Sequence, residues 1–170
     1  MKLGDGVEQA LHCVLMLSGL PAGQVLAAPA LAEFHGVSPS YLLKHLQALS
    51  NAGILQSVPG PRGGYRLARP AGRITLLDVV LAVEGPEPAF RCAEIRQNGP
   101  SPLAPRFFKK PCAINAAMLR AERAYREELR KVTLDMLASP PDSELGAAIS
   151  ARACGFFAQR ARNAPPSPSH

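Results

Sequence analysis

Apolar residues near the start of the chain recur at steps of three and four. Val7, Leu11, Val14 and Leu17 lie on one stripe, which predicts a helix from about Asp5 to Leu20. Pro21-Ala22-Gly23 breaks it, and Ala28 to Phe34 predicts a short second helix stopped at Gly36. In the third, Leu42, Leu43, Leu46 and Leu49 supply the apolar face. Ser38 is a suitable N-cap, Pro39 sits at the first helical position where its missing N–H costs nothing, and Gly53 suits a left-handed stop. Ile54 to Val58 and Tyr65 to Leu67 predict two short strands around a glycine turn. A fourth helix, Leu76 to Val83, begins after Thr75 as cap. Three helices, a hairpin and a helix predict a winged helix-turn-helix over residues 1–84, in a fold that is mainly α with a small β-wing.

The pattern changes at residue 85. Eight Gly and Pro residues among positions 85–111 predict a long irregular loop, a kind of segment that is usually functional or disordered in compact proteins. From Cys112 to about Leu137 a long helix is expected. Ile114, Met118, Ala121, Tyr125, Leu129, Val132 and Met136 form a single seam on it, and the rest is charged. A helix projecting from a small domain buries such a seam most easily against its own copy, so 112–138 reads as a dimerisation helix; packing back on the same chain is the alternative. The remainder, 139–170, reads as a tail opening with Ser139-Pro140-Pro141. It carries a weakly amphipathic helix over Glu144 to Arg162 and a disordered end from Ala164.

Charge alters this picture. Residues 34–77 contain no Asp or Glu, yet include Lys44, Arg62, Arg66, Arg69 and Arg73, while the whole chain nets +6. Such concentration argues for a polyanionic partner. A capped helix followed by a basic hairpin is the arrangement that sets a helix in the major groove of double-stranded DNA and a wing on the flanking backbone. Ser38, Ser40 and Tyr41 offer donors at the helix start, and Lys44, His45 and Gln47 lie further along. Gln47 suits adenine; Lys44 suits guanine or a phosphate. Gly63 and Gly64 are expected to permit positive backbone angles and close approach, leaving Arg62 to reach a phosphate or an A·T-rich minor groove. A dimer making about six phosphate contacts has a salt slope near −5.

Hydrophobic residues make up 47% of the chain, enough for a packed core, and no run approaches the roughly 18–20 apolar residues of a membrane span. The start of the chain lacks the features of a signal peptide, so a cytoplasmic location is expected. The four cysteines are then better read as thiols or metal ligands than as disulfides.

Several blocks together resemble a family. Val37-Ser38-Pro39-Ser40-Tyr41-Leu42, Leu49-Ser50-Asn51-Ala52-Gly53-Ile54-Leu55, Gly60-Pro61-Arg62-Gly63-Gly64-Tyr65-Arg66-Leu67 and Ile74-Thr75-Leu76-Leu77-Asp78-Val79-Val80 are similar to consecutive blocks of the IscR/NsrR family of bacterial winged-helix regulators. The similarity runs in order and at family spacing from residue 1 to about 138. It implies a homodimeric transcription factor, often a repressor bound to a DNA operator. It also implies an iron–sulfur cluster between the winged helix and the dimer helix.

Glu8 and His12 are four residues apart and project from one helix face. Cys92 and Cys112 bracket the proline-rich loop. Two thiolates cannot serve an all-cysteine site, but Glu8 with His12 on one iron and Cys92 with Cys112 on the other would complete a 2Fe-2S cluster. The commoner family pattern places three closely spaced cysteines in the loop, which this chain lacks. Its donor set instead resembles the RsrR-type branch. That resemblance implies a cluster bridging two subunits, Glu8 and His12 coming from one and both cysteines from the other. Three other readings stay open: a cluster-free switch in which Cys92 and Cys112 form a disulfide, a zinc site with the same donors, and a small thiol or metal enzyme. Against the enzyme, Cys13 and His12 are the only adjacent thiol–imidazole pair and point about 100° apart on a helix. Cys13 is expected in the core, and Cys154 carries no role.

Overall fold

The computed structural model describes residues 3–138 and 143–164. Helix α1 (Asp5–Ser18) buries Val7, Val14 and Leu17 of the expected stripe together with Ala10 and Cys13, while Leu11 is only half-buried. Strand β1 (Gln24–Val25) leads into α2 (Ala28–His35) and α3 (Pro39–Asn51). Strands β2 (Leu55–Val58) and β3 (Gly64–Leu67) pair antiparallel, with Leu55 opposite Leu67 and Val58 opposite Gly64. Helix α4 (Leu76–Glu84) opens with a capping box. Asp78 N–H donates to Thr75 Oγ1 at 3.1 Å, and Thr75 N–H donates to Asp78 Oδ2 at 2.9 Å. Two donors that a helix start leaves unpaired are satisfied together. Leu26, Leu31, Leu42, Leu46 and Ile74 join the buried face of α1 in one core. Among the described residues no helix is long and apolar enough to cross a membrane.

Helix α3 departs from its expected faces at two positions. Leu43 is 38% exposed, whereas His45, expected among the polar residues, is 6% exposed. The imidazole lies on α1 at Gly6, where an added Cβ would come within 2.4 Å of the ring. A glycine there lets α1 and α3 approach closely, and apolar periodicity carries no mark of such a contact. Ser38 is the N-cap of α3 by backbone geometry, but its hydroxyl pairs with Ser40 Oγ at 3.1 Å instead of a helix amide.

The wing glycines also act differently from expectation. The positive φ in the turn is at Gly60 (φ 99) and not at Gly63 or Gly64. Those two serve close approach to the chain's own backbone. A Cβ would lie 2.0 Å from Val58 O at Gly63 and 2.4 Å from Leu26 O at Gly64. Leu26 and Tyr65 exchange backbone hydrogen bonds of 3.1 and 2.7 Å, which fasten β3 to the segment after β1.

Residues 85–112 are irregular apart from two single turns, Ile95–Gln97 and Pro105–Phe108. Helix α5 (Ala113–Lys131) follows and stops earlier than the apolar seam suggested. The chain then turns back to the winged helix. Leu76 N–H donates to Val132 O at 2.9 Å, Leu134 N–H donates to Ile74 O at 3.0 Å, and Leu134 is fully buried. Val132-Thr133 is a β-branched pair that favours extended backbone, and Thr133 bridges Thr75.

The tail helix is present as α6 (Glu144–Arg160), followed by β4 (Arg162–Asn163). β4 pairs antiparallel with β1, Gln24 opposite Asn163 and Val25 opposite Arg162. Phe157 is buried in the common core, and Phe156 meets the Phe34 ring edge-on at 5.0 Å. The break expected at Ser139-Pro140-Pro141 lies outside the described residues, as does the end expected to be disordered, except for its first residue: Ala164 N–H donates to Gly23 O at 2.9 Å.

Candidate nucleic-acid interface and metal centre

The exposed face of α3 presents Ser38, Ser40, Tyr41, Lys44 and Gln47, and Arg62 is exposed on the wing turn. Tyr41 stands edge-on to His45 at 4.7 Å, so the buried histidine braces it one helical turn away. Among the described residues, Lys44 and Arg62 enter no ion pair. Their charge is available to a polyanion. Arg66 is braced across the hairpin, Nε donating to Gln56 Oε1 at 2.9 Å. Arg69 is the exception in the acid-free window: it pairs with Asp78 of α4 at 3.2 Å. That carboxylate lies one residue past the window's end, and only the fold brings the two together. Gly63 is buried and Gly64 half-buried, so both shape the wing from within instead of forming the contact surface expected of them.

Glu8 and His12 are both exposed on α1 and line a groove of about 330 Å³ with Leu3, Val7 and Leu11. The His12 ring is 5.9 Å from His35 on α2. Burial, followed by the charges of His12 and Arg152, holds His35 below the usual imidazole range. Cys92 is exposed in the loop, whereas Cys112 is buried as the N-cap of α5. The backbone amides of Asn115 and Ile114, and then the Arg96 guanidinium, favour the Cys112 thiolate and draw its pKa below the ordinary thiol range. Arg96, ion-paired with Glu94, lies in the field of both Cys112 and Cys92. Burial pushes Cys13 up to about 12, consistent with a core thiol.

The four expected ligands therefore lie on two parts of the chain: Glu8 and His12 one turn apart on α1, and Cys112 at the start of α5 with Cys92 in the loop before it. Among the described residues of one chain, no group of three or more His, Cys, Asp and Glu side chains could hold a metal ion. The donor chemistry suits a cluster, since one pair is open to solvent and the other contains a thiol already inclined to ionise. A single subunit does not bring the pairs to one centre.

Helix α5 contributes a clamp that its charge pattern did not disclose. Arg126 Nη2 donates to Pro86 O at 2.9 Å, Glu87 O at 3.1 Å and Glu122 Oε1 at 2.6 Å, while Glu122 Oε2 accepts from Ala89 N–H at 3.1 Å. An i,i+4 Glu–Arg pair normally reads as a solvated surface pair; here it straps the start of the loop to α5. No residue of α5 is buried, and Ile114 and Met118 are 66% and 43% exposed.

The Rrf2 family model, described as iron-dependent transcriptional regulator, matches residues 3–140. The chain is 36% identical over 138 residues to YffB of Lactococcus lactis, described as an HTH-type transcriptional regulator; the match covers 81% of this chain and 87% of that one. A second protein of that description, YwgB of Bacillus subtilis, is 46% identical over 85 residues, half of this chain and 54% of its own length. Among solved structures, the oxidized form of Staphylococcus aureus CymR superposes with a TM-score of 0.62 at 26% identity, across 84% of this chain and 100% of that one.

Proposed function

The chain belongs to the Rrf2 family of transcriptional regulators, and from that premise we propose that it works as a homodimeric repressor whose DNA binding is set by a 2Fe-2S cluster. It is a DNA-binding regulator and not an enzyme. One observation carries the cluster reading: Glu8 and His12 stand exposed one turn apart on α1, while Arg96 lies in the field of both Cys92 and Cys112. The uncovered apolar positions Ile114 and Met118 begin two residues beyond Cys112. A second copy seated on that seam would bury it and could bring its α1 to the cysteines, as in the RsrR-type branch. The family description also names iron.

When bound, such a cluster supplies a one-electron acceptor, and carboxylate and imidazole ligands raise its potential above that of a four-thiolate site. The chain's own residues would relay its state. Gly6, two residues before Glu8, holds the His45 ring of α3 at close quarters, so displacement of α1 moves the recognition helix. Arg126 fastens the loop to α5, so displacement of the loop moves the dimer helix. Both alter the spacing of two recognition helices, which must match the separation of two DNA half-sites. Ser38, Ser40, Tyr41, Lys44, Gln47 and Arg62 would make the contacts.

A second reading is favoured by the lowered pKa of Cys112 and its shared cation with Cys92. Hydrogen peroxide would oxidise the two thiols to a disulfide, the two sulfurs losing two electrons and two protons while the peroxide becomes two waters. Protein purified without oxygen separates the two. The cluster reading expects brown protein with about two irons and two sulfides per subunit, colour lost in Cys92→Ser, Cys112→Ser and His12→Ala, and operator affinity differing between oxidised, reduced and metal-free forms. Colourless protein whose thiols pair on peroxide treatment overturns it in favour of the switch. Equal operator affinity in all forms overturns sensing altogether.

A further inference from the structure

We propose that the C-terminal segment, residues 143–164, is part of the DNA-binding surface, with Arg162 standing beside Arg62 as a second cation of the wing. The inference rests on the reading of α3 and the wing as the DNA face. It concerns a segment beyond the family match, which ends at residue 140.

The segment is anchored at three places. Phe157 is buried in the winged-helix core. Arg152 lies over the Phe34 ring at 4.3 Å and donates to Phe34 O at 3.0 Å, and Arg160 pairs with Glu33 at 2.7 Å. β4 then lies alongside β1, with Ala164 N–H donating to Gly23 O at 2.9 Å. Because β1 continues into Leu26, which is bonded to Tyr65 of β3, the segment and the wing share one hydrogen-bonded framework.

This placement carries Arg162 to the wing turn, where its Nη1 donates to Pro61 O at 2.7 Å. Pro61 directly precedes Arg62. The bond uses one N–H of the guanidinium and leaves the others to meet an acceptor. Arg162 is exposed and, among the described residues, enters no ion pair. The three arginines of the segment thus divide their work. Arg152 and Arg160 are committed to α2, and Arg160 also neutralises Glu33, the last carboxylate before the acid-free window. Arg162 alone is left without a carboxylate or ring partner among the described residues, in a segment whose only acid is Glu144. It lies against the glycine-rich wing turn at Pro61, the residue before Arg62, which enters no ion pair among the described residues either. A DNA phosphate is the partner that two cations carried by one turn would share.

The test uses the full-length dimer and a duplex of about 30 base pairs, enough for two half-sites one helical turn apart with flanks, selected by the wild-type protein from a random-sequence pool. Affinity is read by fluorescence anisotropy against salt. Arg162→Gln should keep the wild-type melting temperature and lower the salt slope by about 2 per dimer, because each subunit then neutralises one phosphate fewer. Arg162→Lys should restore most of the slope, since charge is what the phosphate needs. A wild-type slope in Arg162→Gln overturns the inference, and so does a reduced slope that Lys fails to restore, which would mean that the residue acts only through wing shape. Arg62→Gln tests the underlying reading separately. If it binds as wild type, the DNA face itself is misassigned; if it weakens binding while Arg162→Gln does not, only the inference about the C-terminal segment fails.

Discussion

Gly64→Ala is the most direct test of how the wing is held. The added methyl would lie 2.4 Å from Leu26 O, 2.5 Å from Leu26 C and 2.9 Å from Ala27 N. All three are backbone atoms, so no side chain can swing aside. Relief requires β3 to retreat from the segment after β1 by about 1 Å, given normal contact distances of about 3.5 Å. That displacement breaks the paired bonds between Leu26 and Tyr65, at 3.1 and 2.7 Å. Two net hydrogen bonds are worth about 2 kcal/mol, and overpacking adds about 1–3 kcal/mol, so a loss of about 3–5 kcal/mol is expected. Gly60→Ala is the contrasting variant: its φ is 99 but nothing lies within 4 Å of the new atom, so only backbone strain of about 1–2 kcal/mol applies. Urea unfolding followed by circular dichroism gives both free energies. DNA affinity measured where each variant is still folded should fall further for Gly64→Ala, because the wing is displaced. If that variant loses less than about 1 kcal/mol and binds normally, the tight seat of the wing on β1 is wrong.

Leu134→Ala should cost about 2–5 kcal/mol, although the residue follows the long helix, because it is fully buried in the winged-helix core; a urea midpoint equal to wild type would place residues 132–137 outside that core. His35 and His45 are both held below the usual imidazole range, chiefly by burial. The unfolded chain then binds protons more readily than the fold, so stability should decline as pH falls through about 6.5. Urea midpoints at pH 7.5 and 5.5 check this above the carboxylate range, and equal midpoints would refute it. In metal-free protein, the thiolate absorbance near 240 nm should begin to rise below the ordinary thiol range. Cys112→Ser should remove that early rise, and Cys13, pushed up to about 12, should not contribute to it; an unchanged titration curve in Cys112→Ser would refute the assignment.

Much of this is legible along the chain. Apolar spacing, Thr75 as a cap, Pro39 at a helix start and the glycine turn between two short strands locate α1 to α4 and the wing to within a few residues, since each is a local device read over one or two turns. The acid-free window and the ordered family blocks point to DNA, which the family match bears out. Other features leave no local trace. Arg69 counts as free charge in the sequence, yet the fold sets Asp78 beside it. The inward turn of His45 depends on Gly6, on a different helix. The seam of α5 predicts a longer helix because Val132 and Met136 keep its spacing, yet the β-branched pair at 132–133 turns the chain back.

The sequence by itself determined α1 to α4, the wing hairpin and their order, the sign of the charge on α3 and the wing, and the family, because these follow from neighbours in the chain. Tertiary structure alone decided which charges stay unpaired and how closely the wing is seated. It also laid the C-terminal strand along β1 and brought Arg162 to Pro61 of the wing turn, 101 positions away. Those outcomes depend on contacts between distant segments, whose energies are settled only when the core that joins them has formed.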